Sequence, residues 1–377
     1  MLYLDNSATT KIHPEVLEAM MPYLQEEYGN PSSKFYSLAE NAKKAVAKAR
    51  EQVATLLGCD PDEVVFTSGA TESNNMIIKG IADYYGREAG ANNRLLTTKV
   101  EHPSVIETFN FLGERGYNVS FLDVDQYARV GVEQVKEAAA KMQPLLTSIM
   151  WGNNEIGSLN PIEELAKVFE ENRQFFHTDA TQVIGKVPVD MSKMPGLRFL
   201  SMSGHKIGGP KGVGAAIIRK QSKEIYTRLT PLMHGGGQEN NYRSGTLAVH
   251  NIVGLGKAAE VAETNLENNV QRLKELENYL TDIFKKNLTG KVKFNSDEQD
   301  KIPGLISLQF IGVNNELLIK KLSAYIALSS GSACSSSKPS HVLNAAGKSL
   351  EEVRQTIRIT LDSKIDESDL KVFDKIK

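Results

Sequence analysis

The chain of 377 residues has two cysteines, Cys59 and Cys334, and one tryptophan. Two cysteines cannot build a disulfide framework, so the fold must rest on a packed core. No apolar run approaches the roughly 20 residues that span a bilayer, so no membrane partner is expected. Neither sign of charge dominates: the net charge is −2, which gives no electrostatic reason to expect direct nucleic-acid binding. The stretch Met1–Asp5 lacks the basic region and long apolar core of a secretory signal. With unpaired cysteines, that makes a reducing cytoplasm the expected location. There is no internal repeat, and the only low-complexity patch is the serine-rich stretch 335–340.

What is present is ordinary for a soluble globular protein, with 41% hydrophobic and 24% charged residues. The length allows two domains and a large core. Helical periodicity predicts a helix from Pro14 to about Tyr28 and a long one from about Ser37 to Leu57, with Gly58 as its cap. Strand and helix then alternate from Val64 to Ile218, which predicts an α/β fold with a mostly parallel central sheet covered by helices on both faces. After Gly256 the pattern changes to a long charged helix, about 257–286, followed by a smaller α+β region. The expected division is a large domain, 15–256, and a small one made of 1–14 with 257–377.

Several stretches carry chemistry. Lys206 follows the apolar run Phe199–Met202 in Ser203-Gly204-His205-Lys206 and sits on a turn among small polar residues, unlike an exposed helical lysine. Asp179 ends another expected strand. A lysine amine, a carboxylate and donors around an anion are what pyridoxal phosphate (PLP) needs. The stretch 66–73, FTSGATES, joins a strand to a helix N-terminus and reads either as a phosphate cradle or as a plain tight turn. His102, Asn154, Asp179 and Lys206 each follow an expected strand and should converge at the carboxyl edge of the sheet. The glycine-rich stretch 235–239 with 243–246 reads as a second anion cradle or a flexible connection. No histidine pair has metal-ligand spacing, so no metal is expected. Cys59 fits a helix end and a structural role. Cys334 lies among small polar residues in an expected mobile loop and is a candidate nucleophile.

Taken together these stretches resemble the cysteine desulfurases of NifS/IscS type, fold-type I PLP enzymes of the class-V aminotransferases. The matching segments are LDNSATT (4–10), YGNPSS (28–33), FTSGATES (66–73), EHP (101–103), NNEIG (153–157), HTDATQ (177–182), SGHK (203–206), GGGQE (235–239), RSGT (243–246) and SSGSACSS (329–336). The resemblance implies conversion of L-cysteine to L-alanine, with sulfur held on Cys334 as a persulfide. It implies that Lys206 binds the cofactor covalently, Asp179 pairs with the ring nitrogen, and Gln182 bonds the phenolic oxygen. His102 would stack on the ring and assist proton transfer. Ala70, Thr71, Ser203, Gly204 and His205 would hold the phosphate. Thr246 would reach the partner subunit's phosphate, implying a homodimer, and Asn154 and Arg358 would meet the substrate. Implied partners are the substrate cysteine and a sulfur-acceptor protein, either an iron–sulfur scaffold or a tRNA-thiolation enzyme. The chain ends soon after its last expected helix, without the long tail some members use, which favours tRNA thiolation as an expectation. Phe35, Leu38 and Asp362 depart from the family pattern. A selenocysteine lyase or β-lyase on the same scaffold, or a sulfur-delivery subunit activated by a partner, are the alternative readings.

Overall fold

The computed structural model describes residues 1–86, 92–222, 224–331 and 339–375. The chain opens with β1 (Leu2–Tyr3), α1 (Pro14–Gln25) and α2 (Ser37–Leu57). Ala42, Val46, Ala49, Val53 and Leu56 form the buried face of α2, and Gly58 closes it at φ 65°, a left-handed position that glycine takes without steric cost. There follow β2 (Val64–Thr67), α3 (Ala70–Gly86), β3 (Arg94–Thr98), α4 (Pro103–Gly113), β4 (Asn118–Leu122), α5 (Val132–Met142), β5 (Leu146–Ser148), α6 (Ile162–Glu171), β6 (Phe175–Asp179), β7 (Phe199–Ser203) and β8 (Gly214–Ile218).

These seven strands, β2 to β8, form one sheet in the order β2-β8-β7-β6-β5-β3-β4. The β7, β6, β5, β3 and β4 run is parallel, and β8 lies antiparallel to both β7 and β2. Only a single 3-10 turn, Gly204–Lys206, lies between β7 and β8, and the connection is too short for a parallel crossover, so β8 returns antiparallel. One face of the sheet is covered by α3 and α4 through Met76, Ile77, Ile81, Val105 and Phe109. The other is covered by α2, α5, α6 and a later helix, α7 (Val249–Thr264). Cover on both faces leaves β2, β5, β7 and β8 buried at every position rather than at alternate ones.

The expected helix over 257–286 is two helices, α7 and α8 (Leu266–Asn287), meeting at Asn265. The Asn265 side-chain amide donates to Val261 O at 2.9 Å, the local competition for backbone carbonyls that makes asparagine a helix terminator. Packing changes at the same place. Ala259 and Ala262 of α7 belong to the core of the large sheet, whereas Leu273, Leu276 and Leu280 of α8 belong to a second core. A division between 256 and 257 falls inside α7.

The second core is closed by β9 (Val292–Phe294), β10 (Leu305–Phe310), α9 (Asn315–Leu322), β11 (Ile326–Ala327), β12 (Thr356–Thr360) and α12 (Glu367–Leu370), while α10 (His341–Ala345) and α11 (Leu350–Arg354) pack in a separate cluster with Val100, Ala128 and Ile156. β10 lies between β9 and β12 and is antiparallel to both. The N-terminus joins this region: β1 pairs with β11 in parallel, and Leu4 is buried in its core.

One close approach ties the sheet to the turn after β2. A Cβ on Gly214 would stand 2.4 Å from Met202 O and 2.7 Å from Gly69 Cα. Gly214→Ala should therefore lower stability by about 1–3 kcal/mol, the usual cost of overpacking. Gly113→Ala is the control, because its Cβ would meet only Val119 Cγ2 at 3.7 Å. Urea midpoints of the two variants check this. Equal midpoints would show that the β8 approach carries no strain.

Candidate active site

β2, β3, β5, β6 and β7 all deliver their carboxyl ends to one edge of the sheet, where α/β sheets collect ligands. The turn after β2 carries Gly69, Ala70 and Thr71; β3 leads to His102; β5 leads to Asn154. β6 ends in Asp179 and leads to Gln182, and β7 ends in Ser203 and leads to His205 and Lys206. Ala70, Thr71, His102, Asn154, Asp179, Gln182, Ser203, His205, Lys206 and Arg358 line one cavity of about 440 Å³. Gly204 is buried and outside the lining, and Thr246 is exposed and away from it. Cys334 lies outside the described residues.

Lys206 is held from the N-terminal segment. Its Nζ donates to Ser7 O, and to Ala8 O at 2.8 Å. The neighbouring turn is fixed by Thr10 Oγ1 donating to His205 O at 2.9 Å, and by a 3.1 Å contact between His205 Nδ1 and Thr9 Oγ1. The stretch LDNSATT, which reads in sequence only as a polar turn, is thus the clamp on the lysine. Burial pushes the Lys206 amine down to about 7, aided by the Lys186 and Arg358 cations and opposed by Asp179 and Asp5. Lys186 is not singled out by sequence reasoning. Its stem is part-exposed, yet its Nζ points inward, buried and without a hydrogen-bond partner. Burial and Arg358 lower its amine to about 8, and Asp362, one of the departures from the family pattern, works against that shift.

Asp179 is buried beside Lys206. Its Oδ1 accepts from Thr181 N–H at 3.0 Å and its Oδ2 from Asn74 Nδ2 at 2.8 Å. Asn74 also donates to Ser104 Oγ at 2.9 Å, and Ser104 Oγ lies 2.8 Å from His102 Nδ1. The Ser104 N–H donates to the same nitrogen at 3.1 Å, which places the proton of the neutral imidazole on Nε2. Burial lowers the His102 pKa, with Asp179 opposing and Lys206 assisting. Asn74 and Ser104 therefore join acid and imidazole into one network. The sequence holds a signal for Asn74: it lies one helical turn after Thr71 and shares its face.

The residues fit pyridoxal phosphate. The first-turn N–H groups of α3 have no intrahelical partners and are suited to an anion. Gly69, at φ +150°, leaves the cradle open, since a Cβ there would project to within 3.6 Å of Ser203 Oγ. Glu72 also lines the cavity, but Arg243 pairs with it at 2.9 Å, so the cradle carries no uncompensated carboxylate. Gln182 Oε1 and Thr181 Oγ1 are buried in the lining without partners. Gln182 Nε2 donates one hydrogen to Ser7 O at 3.0 Å, which leaves its second N–H for a phenolic oxygen. Arg358 closes the floor. Its Nη2 pairs with Asp5 Oδ1 at 2.7 Å, its Nη1 donates to Asn154 O at 2.8 Å, and its buried Nε has no partner.

The family model "Aminotransferase class-V" matches residues 2–373. Cysteine desulfurase IscS of Dictyoglomus turgidum is 42% identical over 363 residues, spanning 96% of this chain and 89% of the relative. The chain belongs to the cysteine desulfurases of the class-V aminotransferase family. Solved structures agree. A NifS-like protein superposes with a TM-score of 0.90 at 34% identity, covering 99% of this chain and 97% of its own. SspA, solved in complex with cysteine, superposes at 0.82 with 36% identity, covering 96% and 99% respectively. As a cysteine desulfurase the chain depends on pyridoxal phosphate, which the cavity can hold.

The lysine's altered basicity has a sign that can be read. The folded chain holds its Lys206 proton only below about 7, against 10.5 for an unburied lysine. Between these values the unfolded chain binds one more proton, so this group favours folding increasingly as pH rises. Covalent capture of pyridoxal phosphate by the cofactor-free protein should therefore accelerate through pH 7 and level off. Stopped-flow absorbance across a pH series measures this. A rate still climbing towards pH 10 would show that Lys206 titrates as an ordinary lysine.

Proposed function

We propose that the protein converts L-cysteine to L-alanine and retains the sulfur as a persulfide on Cys334. The observation that carries this reading is the meeting of Lys206, Asp179 and Arg358 in one cavity, with Arg358 also bonded to the chain that leads to Cys334. Arg358 Nη1 donates to Gly331 O at 3.2 Å. A tether of three residues spans at most roughly 10 Å, so the covalent chain lets the Cys334 thiol reach the cavity.

Bound there, pyridoxal phosphate supplies an electron sink for bond breaking at the substrate carbons. In this proposal Lys206 would bind the cofactor, give way to the substrate amine and, its basicity lowered by burial, take and return the α-proton. Asp179, fixed by Asn74 and Thr181, would pair with the ring nitrogen. His102 would offer its Nε2 side to the ring. Ala70, Thr71, Ser203 and His205, which line the cavity, would hold the phosphate, and Asn154 and Arg358 would orient the substrate carboxylate. Cys334 thiolate then attacks the substrate sulfur. The S–S bond forms as the Cβ–S bond breaks, Cβ keeps the electron pair, and the proton from the thiol ends on the alanine methyl. Atoms and electrons balance without an external oxidant.

The homodimer belongs to the same proposal. Thr246 is exposed and outside the lining of its own cavity, which suits a residue serving a second subunit. The acceptor of the sulfur is proposed to be an iron–sulfur scaffold or a tRNA-thiolation enzyme, and the cytoplasm is proposed as the location. Among the described residues no helix is long and apolar enough to cross a membrane.

Cys334→Ser should abolish alanine release and the protein-bound persulfide, while the cofactor spectrum still responds to added cysteine. Cys59→Ser should leave all three intact, because burial pushes the Cys59 thiol up to about 12 and only thiolates are nucleophilic. Alanine release at the normal rate from Cys334→Ser would overturn direct attack by Cys334.

A further inference from the structure

The stretches 235–239 and 243–246, which in sequence suit either an anion cradle or a flexible connection, form one pinned turn. Glu239 is buried, and its carboxylate accepts three hydrogen bonds. Arg50 Nη2 donates to Oε1 at 2.6 Å, Arg50 Nη1 to Oε2 at 2.9 Å, and Phe66 N–H to Oε2 at 2.7 Å. β2 is an edge strand, so this carboxylate serves the Phe66 N–H where a neighbouring strand would. Glu239, Asn240 and Asn241 all lie in the left-handed region, at φ 51°, 55° and 67°. Such backbone persists where its surroundings over-determine it, and it clusters at functional sites. The turn is closed by Gly245 N–H donating to Gln238 Oε1 at 2.9 Å, and by the buried Tyr242, whose hydroxyl donates to Thr227 O at 2.5 Å.

What this turn delivers is Arg243. Its Nε donates to Glu72 Oε1 at 2.9 Å and its Nη2 to Oε2 at 3.5 Å. Ser68 N–H donates to the same Oε2 at 2.8 Å. Burial works to raise the Glu72 carboxyl, but the bonds from Arg243 and Ser68 outweigh it and hold it below its ordinary range. A charged carboxylate therefore stands in the first turn of α3 and lines the cavity. It shares the positive end of that helix dipole with any phosphate bound there, and the two anions repel. The groups around them do little to offset this. Burial, with the Lys206 and Lys211 cations, pushes the His205 imidazole down to about 4, so it brings a hydrogen bond without a charge. Thr71 and Ser203 bring hydroxyls only. Lys211 also lines the cavity, but the cation bonded to Glu72 is Arg243.

We propose that Arg243 is a positioning residue for the cofactor phosphate: it cancels the Glu72 carboxylate at the head of α3 and so lets that helix end receive a dianion. The inference rests on placing the phosphate at the turn after β2. Both side chains of the pair are largely buried, so losing the arginine leaves a carboxylate that water screens poorly. The penalty falls on ligands that carry the phosphate and spares those that lack it.

The test titrates the cofactor-free, full-length protein with pyridoxal phosphate and with pyridoxal, which has the same ring and aldehyde but no phosphate. Dissociation constants are read from the absorbance change on binding. Arg243→Met should weaken pyridoxal phosphate binding about tenfold or more, the effect of one uncompensated charge near the ligand, and leave pyridoxal binding unchanged. Adding Glu72→Gln to Arg243→Met should return most of the lost affinity, since the amide still accepts from Ser68 and no longer repels phosphate. Unchanged pyridoxal phosphate affinity in Arg243→Met would overturn the proposal. So would an equal loss for pyridoxal, which signals general damage to the cavity, or a double variant no better than Arg243→Met. A Thr71→Ala/Ser203→Ala variant separates the two levels of failure. If it binds pyridoxal phosphate as tightly as the native chain, the phosphate does not sit at this turn and the proposal falls with that placement. If it binds weakly while Arg243→Met binds normally, the proposal alone falls.

Discussion

The structure depends on keeping several ionisable groups dry around one cavity. Lys206, Lys186 and Arg358 bring three cations to the carboxyl edge of the sheet, and Asp179, Asp5 and Asp362 oppose them. Removing charge from water is costly unless it is paired or neutralised. The chain resolves that cost differently at each position. Arg358 is paired with Asp5, Asp179 is satisfied by Asn74 and Thr181, and the Lys206 amine is pushed towards its neutral form. The last of these gives a lysine that is nucleophilic near neutrality, so the energetic problem of burial and the chemical need of the site have one solution.

Arg358 and the N-terminal segment make this arrangement a property of the whole chain. Ser7 and Ala8 hold Lys206, Thr9 and Thr10 hold the His205 turn, and Asp5 holds Arg358. The same arginine reaches Gly331, and Glu155, next to Asn154 of the cavity lining, accepts from Ser340. The cavity, Arg358 and Gly331 are therefore consecutive contacts rather than separate features.

Much of this was legible in the sequence, because it is written in local patterns. Alternating apolar strands and amphipathic helices gave the covered parallel sheet, and the position of Lys206, Asp179 and His102 after strands placed them at one edge. The break at Asn265 was missed because helical periodicity runs through it, although the side-chain bond to Val261 that ends α7 is local. The antiparallel course of β8 had a signal in its short connection from β7. Lys186 was not legible as a site residue, since it acts on groups distant in sequence, whereas Asn74 had a signal in its spacing from Thr71 and Ser104 in its closeness to His102. Gln182 was legible as a residue of the cavity, but the bond of its amide to Ser7 is visible only in three dimensions.

The central claim is that Asp179, held rigidly by Asn74 and Thr181, governs the electronic state of the bound cofactor. The most direct measurement is magnetic resonance of the cofactor ring nitrogen, isotopically labelled, in the resting enzyme and in Asp179→Asn. The account predicts a protonated ring nitrogen in the native enzyme and an unprotonated one in the variant, with alanine release lost alongside it. A ring nitrogen unprotonated in the native enzyme, or unchanged by Asp179→Asn with turnover intact, would contradict it.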